Sequence, residues 1–251
     1  TPAETHYPLA KQIMEAGKHV LVEKPLTLQE DHAKELVRLS EENNVNIMVG
    51  HVLLFHPAIK KIKGLIDSGK IGKLQYIYSN RLNLGQVRTE ENVFWSLAPH
   101  DISIFQYFTD AFPEAIHASG STFLQKGIHD STLTQFKYPN GVEGHIFVSW
   151  LHPFKEHRLV VIGSEAMITF EDSSEGKPLK LYAKKFDMAK GVPEKIDGPV
   201  TLIDYEQKMA LTEELQYFVD HLEGKKPNIA NGNHALEVMK ILIEASQQLT
   251  K

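Results

Sequence analysis

The period of the hydropathy pattern changes at Leu74, and that change constrains the fold more than any other feature of the chain. Before it, residues 7–16 have helical spacing, His19-Val20-Leu21-Val22 is a short apolar run, residues 31–42 are helical again, and Asn46-Ile47-Met48-Val49 is a second apolar run. Short apolar strands separated by an amphipathic helix are what a parallel βαβ unit, covered on both faces, requires. Gly17 and the Asn43-Asn44 pair supply helix stops, and Thr27 with Gln29-Glu30 supplies the cap and first turn of the second helix. After it, residues 75–84 alternate with period two, as an antiparallel strand does. Residues 114–123, 132–138, 142–151, 159–163 and 166–170 continue in β character, with Pro139-Asn140-Gly141 as a hairpin turn and residues 172–176 as a looser surface turn. Helical patterns lie at 102–108, 212–222 and 235–249. The expected fold class is α/β plus α+β, with part of a parallel doubly wound unit in residues 1–50 followed in residues 51–251 by an α/β domain carrying a large, mostly antiparallel open sheet.

Composition narrows the function. With 251 residues, 42% hydrophobic and 24% charged, the chain is ordinary globular material, long enough for a sizeable core. Lys+Arg 27 against Asp+Glu 32 gives a net charge of −5 without a basic block, which argues against nucleic acid as a partner. No apolar run approaches the length of a membrane span, no signal peptide opens the chain, and the cytoplasm is the expected compartment. Zero cysteines remove disulfides, thiolate metal sites and a cysteine nucleophile. No His-Glu-x-x-His occurs and the histidines are dispersed, so no metal is expected; no Gly-x-Ser-x-Gly elbow suggests a hydrolase.

Two local patterns carry chemistry. Glu23-Lys24-Pro25 follows the first apolar run directly, and Pro25 biases Lys24 toward an extended conformation at the carboxyl end of a parallel strand, where open α/β sheets place ligands. The alternatives are a working lysine and a solvated charge pair. Pro99-His100-Asp101 precedes the apolar stripe Ile102, Ile104, Phe105 and Phe108; a histidine in the first turn of such a helix is kept neutral and suits a general base, or it merely packs.

With these residues the chain resembles the Gfo/Idh/MocA family of NAD(P)-dependent oxidoreductases. The resemblance runs through Thr1-Pro2 with His6, residues 17–26 around Glu23-Lys24-Pro25, Met48-Val49-Gly50, Phe55-His56-Pro57, the His100-Asp101-Ile102 stretch, residues 163–168 and Gly224-Lys225-Lys226-Pro227. It implies a Rossmann domain set against an α/β domain with an open sheet that commonly forms a subunit interface, hence a homo-oligomer, dimer or tetramer. It implies NAD or NADP as cofactor and roles for single residues. Lys24 lies between nicotinamide and sugar hydroxyl, Glu23 and Pro25 line the cofactor pocket, His6 lies near the cofactor or on a helix surface, and His100 is the acid/base. Oxidising an alcohol carbon leaves a proton on oxygen, so a base and a nearby cation are the groups required.

There are departures from the family pattern. Ser96 stands where many members have Asp, four residues before the histidine, and the usual Asn and Arg are replaced within residues 50–57, where His51 and His56 become pocket candidates or packing residues. The residues 81–85 together with 94–101 resemble the sugar-nucleotide 3-dehydrogenase subgroup. Arg81 then faces a pyrophosphate or uronate carboxylate, or forms a cross-strand ion pair. Ser96, His51 and Asp101 are the further substrate-binding candidates. No Gly-rich dinucleotide turn with its ribose-binding acid occurs in the chain. The expectation is that the first Rossmann strands precede Thr1 and that the chain as given binds NAD poorly and is inactive. The expected reaction is hydride transfer between a sugar or nucleotide-sugar carbon, C3 by the subgroup likeness, and NAD(P); the alternative is a non-catalytic sugar-binding or oligomerisation module.

Overall fold

A computed structural model describes residues 1–249. The chain opens with helix α1 (His6–Glu15), strand β1 (Val20–Val22), helix α2 (Glu30–Glu42) and strand β2 (Ile47–Val49). β1 and β2 pair in parallel, with Val20 opposite Ile47 and Val22 opposite Val49. α1 buries Ala10 and Met14, and α2 buries Ala33, Leu36 and Leu39, the helical spacing that marks a single apolar face. Gly17 (φ 70°) and Asn44 (φ 49°) adopt the left-handed conformation that terminates the two helices. The cap of α2 differs from the sequence expectation. Gln29 is the N-cap, and Thr27 sits fully buried two residues earlier, its hydroxyl donating to the Gln29 carbonyl at 2.7 Å.

A 3-10 turn (Val52–Phe55) leads into helix α3 (Pro57–Asp67), which the sequence reading left unassigned. Pro57 at its first position and the His56 ring, which accepts from the Ala58 amide at 3.1 Å, start this helix. Then come β3 (Leu74–Leu82), α4 (Val93–Thr109), β4 (Ala115–Ser121), β5 (Ser131–Lys137), β6 (Glu143–Ser149), β7 (Glu156–Gly163), β8 (Met167–Glu171), β9 (Leu179–Asp187) and β10 (Glu194–Leu202). These eight strands form one sheet in the order β10-β9-β8-β7-β3-β6-β5-β4. Every pairing is antiparallel except β3 with β6. β9 and β10 extend the sheet beyond the strands read from sequence.

One face of the sheet is covered from within the chain. Ile146, Val148 and Trp150 are buried, and α4 packs on β3, β5 and β6 while helix α6 (Gly232–Leu249) packs on β4. The opposite face carries half-buried Tyr76, Tyr78, His145 and Phe147 and exposed Leu133, with the His145 ring stacked on Tyr78 at 5.0 Å. α6 also packs on α2 and β2, joining the parallel pair to the large sheet, and the Val49 amide donates to the Ala230 carbonyl at 2.8 Å. Helix α5 (Ala210–Val219) packs on the 3-10 turn. Among the described residues no helix is long and apolar enough to cross a membrane.

Candidate active site

β1 ends at Val22 and leaves Glu23-Lys24-Pro25 at its carboxyl end, with a cis Lys24–Pro25 peptide. His6 braces this turn from behind: its Nδ1 lies 2.8 Å from the Pro25 carbonyl oxygen and its Nε2 lies 3.1 Å from that of Thr1. At 5% exposure His6 is a buried brace, and its helix-surface alternative is set aside. The Glu23 carboxylate accepts from the Lys24 amide at 3.2 Å and lies so close to Gly50 that a Cβ there would come within 2.9 Å of Glu23 Oε2. Gly50 thus allows the acid to fold back over the end of β2.

Lys24 reaches across to α4, where its Nζ donates to the Ser96 carbonyl at 3.1 Å. The side chain is half-buried, and burial pushes its ammonium pKa down, opposed by Glu91 and Glu23 and reinforced by Arg88 and Arg81. Ser96 therefore contributes its main chain, which serves as a docking point for the lysine. Ser96 and His100 lie one turn apart on the same face of α4. This helix corrects the sequence reading: it begins at Val93, capped by the Asn92 side chain accepting from the Trp95 amide at 3.1 Å, and runs through Pro99. A proline inside a helix forfeits one backbone hydrogen bond, and here the buried face around it holds the helix together. His100 consequently sits mid-helix, and the first-turn dipole argument for its neutrality does not apply. Its imidazole is instead held well below the usual range by burial first, then by Arg81, Lys24, His51 and His157.

Arg81 and Asp101 form a buried bidentate pair, Nε to Oδ2 at 2.7 Å and Nη2 to Oδ1 at 3.1 Å. The ion pair runs from strand to helix, not across strands, and the remaining Nη1 faces His157 Nδ1 at 3.3 Å. Burial lowers the Arg81 pKa, but Asp101 outweighs it and the net shift is upward. His157 is pushed down to about 4 by burial and by Arg81. A cavity of about 20 Å³ beside this pair is lined by Leu53, Ile104, His157 and Asp172 among others. His56 lies away from Lys24 and His100, packed against Phe170 at 5.1 Å and Tyr205 at 5.8 Å.

His51, at 2% exposure, has neither ring nitrogen hydrogen-bonded. Its ring packs edge-on against His234 at 5.5 Å, and burial, His234 and Lys24 hold it well below the usual imidazole range. His234, His157 and Glu214 were not singled out from sequence. His157 and His234 carry no local signal, since tertiary pairing alone brings them to the site. Glu214 has one: it stands three and four residues before Tyr217 and Phe218, on the packed side of α5, and is 2% exposed with Oε1 unpartnered. Burial, with Glu23 adding repulsion, raises its carboxyl to about 7.

These residues fit the reactive end of a nicotinamide cofactor. A half-buried cation, a neutral imidazole and orphaned ring nitrogens gather at the carboxyl ends of two parallel strands, the place such folds reserve for ligands. Two family models match the chain: "Oxidoreductase family, NAD-binding Rossmann fold" over residues 1–51 and "GFO/IDH/MocA C-terminal domain" over residues 59–169. The chain belongs to the GFO/IDH/MocA oxidoreductase family. UDP-N-acetylglucosamine 3-dehydrogenase of Acidithiobacillus ferrooxidans is 25% identical over 92% of this chain and 71% of its own. The NAD(+)-dependent scyllo-inositol 2-dehydrogenase of Bacillus subtilis is 30% identical over 67% of this chain and 52% of its own. A solved structure of the Acidithiobacillus ferrooxidans enzyme superposes with a TM-score of 0.86 at 22% identity, covering 100% of this chain and 77% of the other. The GFO/IDH/MocA fold accounts for the large open sheet and for the separate parallel pair. Among the described residues no group of three or more histidine or acidic side chains could hold a metal ion.

Proposed function

We propose that the protein to which this chain belongs transfers a hydride between a hydroxyl carbon of a sugar or nucleotide sugar and NAD(P), with C3 as the reacting carbon, and that the chain as given, which has no Gly-rich dinucleotide turn, is inactive by itself. The reading rests on one observation above the others: Lys24 Nζ is anchored on the Ser96 carbonyl one turn from His100, so that a cation and a neutral base share one face of α4. Likeness to a nucleotide-sugar 3-dehydrogenase supports the choice of carbon. When bound, a nicotinamide would supply the hydride acceptor; Glu23 and Pro25 would border it, and His6 would position it indirectly by bracing the Pro25 carbonyl. Lys24 stabilises the developing alkoxide, and His100 takes the hydroxyl proton. Arg81 and Asp101 act on the substrate side as a fixed, mutually neutralised pair beside His100, a preorganised wall for the sugar rather than a receptor for its phosphate. Ser96 and His51 complete the substrate side.

In this reading residues 1–50 form the cofactor unit and residues 51–251 the substrate unit. The uncovered sheet face, with Tyr76, Tyr78, Phe147 and Leu133, serves a homo-oligomer, and the absence of cysteine suits the reducing cytoplasm. The test is formation of reduced nicotinamide by the purified protein to which the chain belongs, with NAD or NADP and a panel of UDP-hexosamines, UDP-uronates and free sugars. Turnover of a nucleotide sugar, with a primary isotope effect from deuterium at C3, is the expected result. Saturable sugar binding without turnover would favour the non-catalytic module and sink the proposal.

A further inference from the structure

Three histidines, His100, His51 and His234, keep buried ring nitrogens without hydrogen-bond partners. His100 is half-buried yet its Nδ1 is fully buried and unpartnered, which leaves Nε2 as the nitrogen to receive a substrate proton. His51 precedes the 3-10 turn packed on α4 and leaves both ring nitrogens buried without partners. His234 touches the His51 ring edge-on, with centroids 5.5 Å apart. It is tied to α4 one turn beyond His100: Nε2 donates to the Ser103 carbonyl at 3.1 Å, while the Ser103 hydroxyl donates to the His100 carbonyl at 2.7 Å. That bond fixes the His234 tautomer and leaves its Nδ1 a bare acceptor, buried and unpartnered. Four orphaned ring nitrogens in one cluster are unusual for a packed interior, because a buried polar atom without a partner carries its full desolvation penalty. His234 also lines a polar cavity of about 320 Å³ with Lys63, Gln106, Asp110, Asn231 and Glu237, open at the exposed Asp110.

We infer that His51 and His234 relay the hydroxyl proton from His100 to this cavity, making it the proton outlet of the reaction. The inference rests on the oxidation reading above. As the substrate O–H bond breaks, its proton joins the outer nitrogen of His100 and the C–H electron pair leaves as hydride to the nicotinamide. The Nδ1 proton of His100 passes to one nitrogen of His51, with water bridging wherever the rings do not touch. The other nitrogen of His51 passes a proton to His234 Nδ1, and His234, as its Nε2–H leaves the Ser103 carbonyl, loses that proton to water in the cavity that its side chain lines. Each ring gains and loses one proton, and only tautomers change. Rings held neutral suit this task, since each keeps an acceptor nitrogen free. His51 and His234 are thus positioning residues for the proton, acting through His100.

The test uses the whole chain labelled with 15N-histidine. Exchange of the His100 and His51 ring protons with water is measured in the wild type, in His234→Gln, which keeps a donor for the Ser103 carbonyl but has no ring to pass a proton, and in His234→Phe. Exchange slowed at least about tenfold in both variants, and unchanged in the exposed-site control His117→Gln, is the expected result. Exchange unchanged in a folded His234→Gln protein would overturn the relay. In turnover, His234→Gln should lower kcat with KM unchanged, enlarge the solvent deuterium effect, and recover with added imidazole. Should the wild type oxidise no sugar at all, the oxidation reading fails, while the exchange measurement still decides the relay.

Discussion

Arg81 shows how a single residue's role depends on what folds against it. Its sequence surroundings suggest an anion receptor, yet both of its bidentate donors are taken by Asp101, and the pair is buried under α4. Removing one partner strands the other charge, so Arg81→Met should destabilise the protein by about 3–5 kcal/mol in urea unfolding, and Arg81→Met with Asp101→Leu should recover most of it. Glu214 is the counterpart without a partner. Its carboxyl titrates near about 7 when folded and near ~4.3 when unfolded, so between these values the folded state binds the extra proton. Stability from this group is full below the unfolded value and is lost as pH rises through the folded one, a fall of up to about 3 kcal/mol. Glu214→Gln should therefore raise stability at pH ~8 by about 2–3 kcal/mol and leave it nearly unchanged at pH ~4, as compared by denaturant midpoints at the two pH values.

At the scale of elements, α4 is what assembles the site. It carries the Ser96 carbonyl, His100, Asp101 and Ser103 along one helix, and it lies between the covered sheet face and the 3-10 turn behind His51. β10 is the opposite case, a strand with no buried side chain. It is an outer edge guarded by charge, by a register shift between Asp197 and Val200, and by Gly198-Pro199 within the shift. Gly198 is required there, because a Cβ would fall 2.0 Å from the Ala183 carbonyl oxygen. Held by backbone pairing and by exposed ion pairs such as Lys184–Asp197 at 3.3 Å, which contribute little, β10 should open far below the global unfolding free energy. Its amides are expected to exchange at least about 100-fold faster than those of β3, measured by native-state hydrogen exchange. Equal protection of the two strands would show that β10 is covered by something, a second subunit first of all.

At the scale of the molecule, what was legible in the sequence is what depends on local period. The parallel pair β1 and β2 with α2 between them, and the alternation of β3, β5 and β6, follow from side-chain spacing alone. α3 was missed because its apolar stripe is diluted by lysines and by Gly64, and β10 because neither of its faces is apolar. Lys24 announces itself through its place after β1, whereas its meeting with Ser96 is a long-range contact that no local pattern encodes. His100 was placed at a helix start because Pro99 looks like one, and only packing shows that the helix runs through it. If Lys24 and His100 form one proton-and-charge unit, steady-state kinetics of Lys24→Ala and His100→Asn with a nucleotide sugar and NAD(P) will show it. We predict a loss of about 10²–10⁴-fold in kcat for each single variant, with the double variant little worse than the poorer single one; kcat within about twofold of wild type for either folded single variant would contradict the claim.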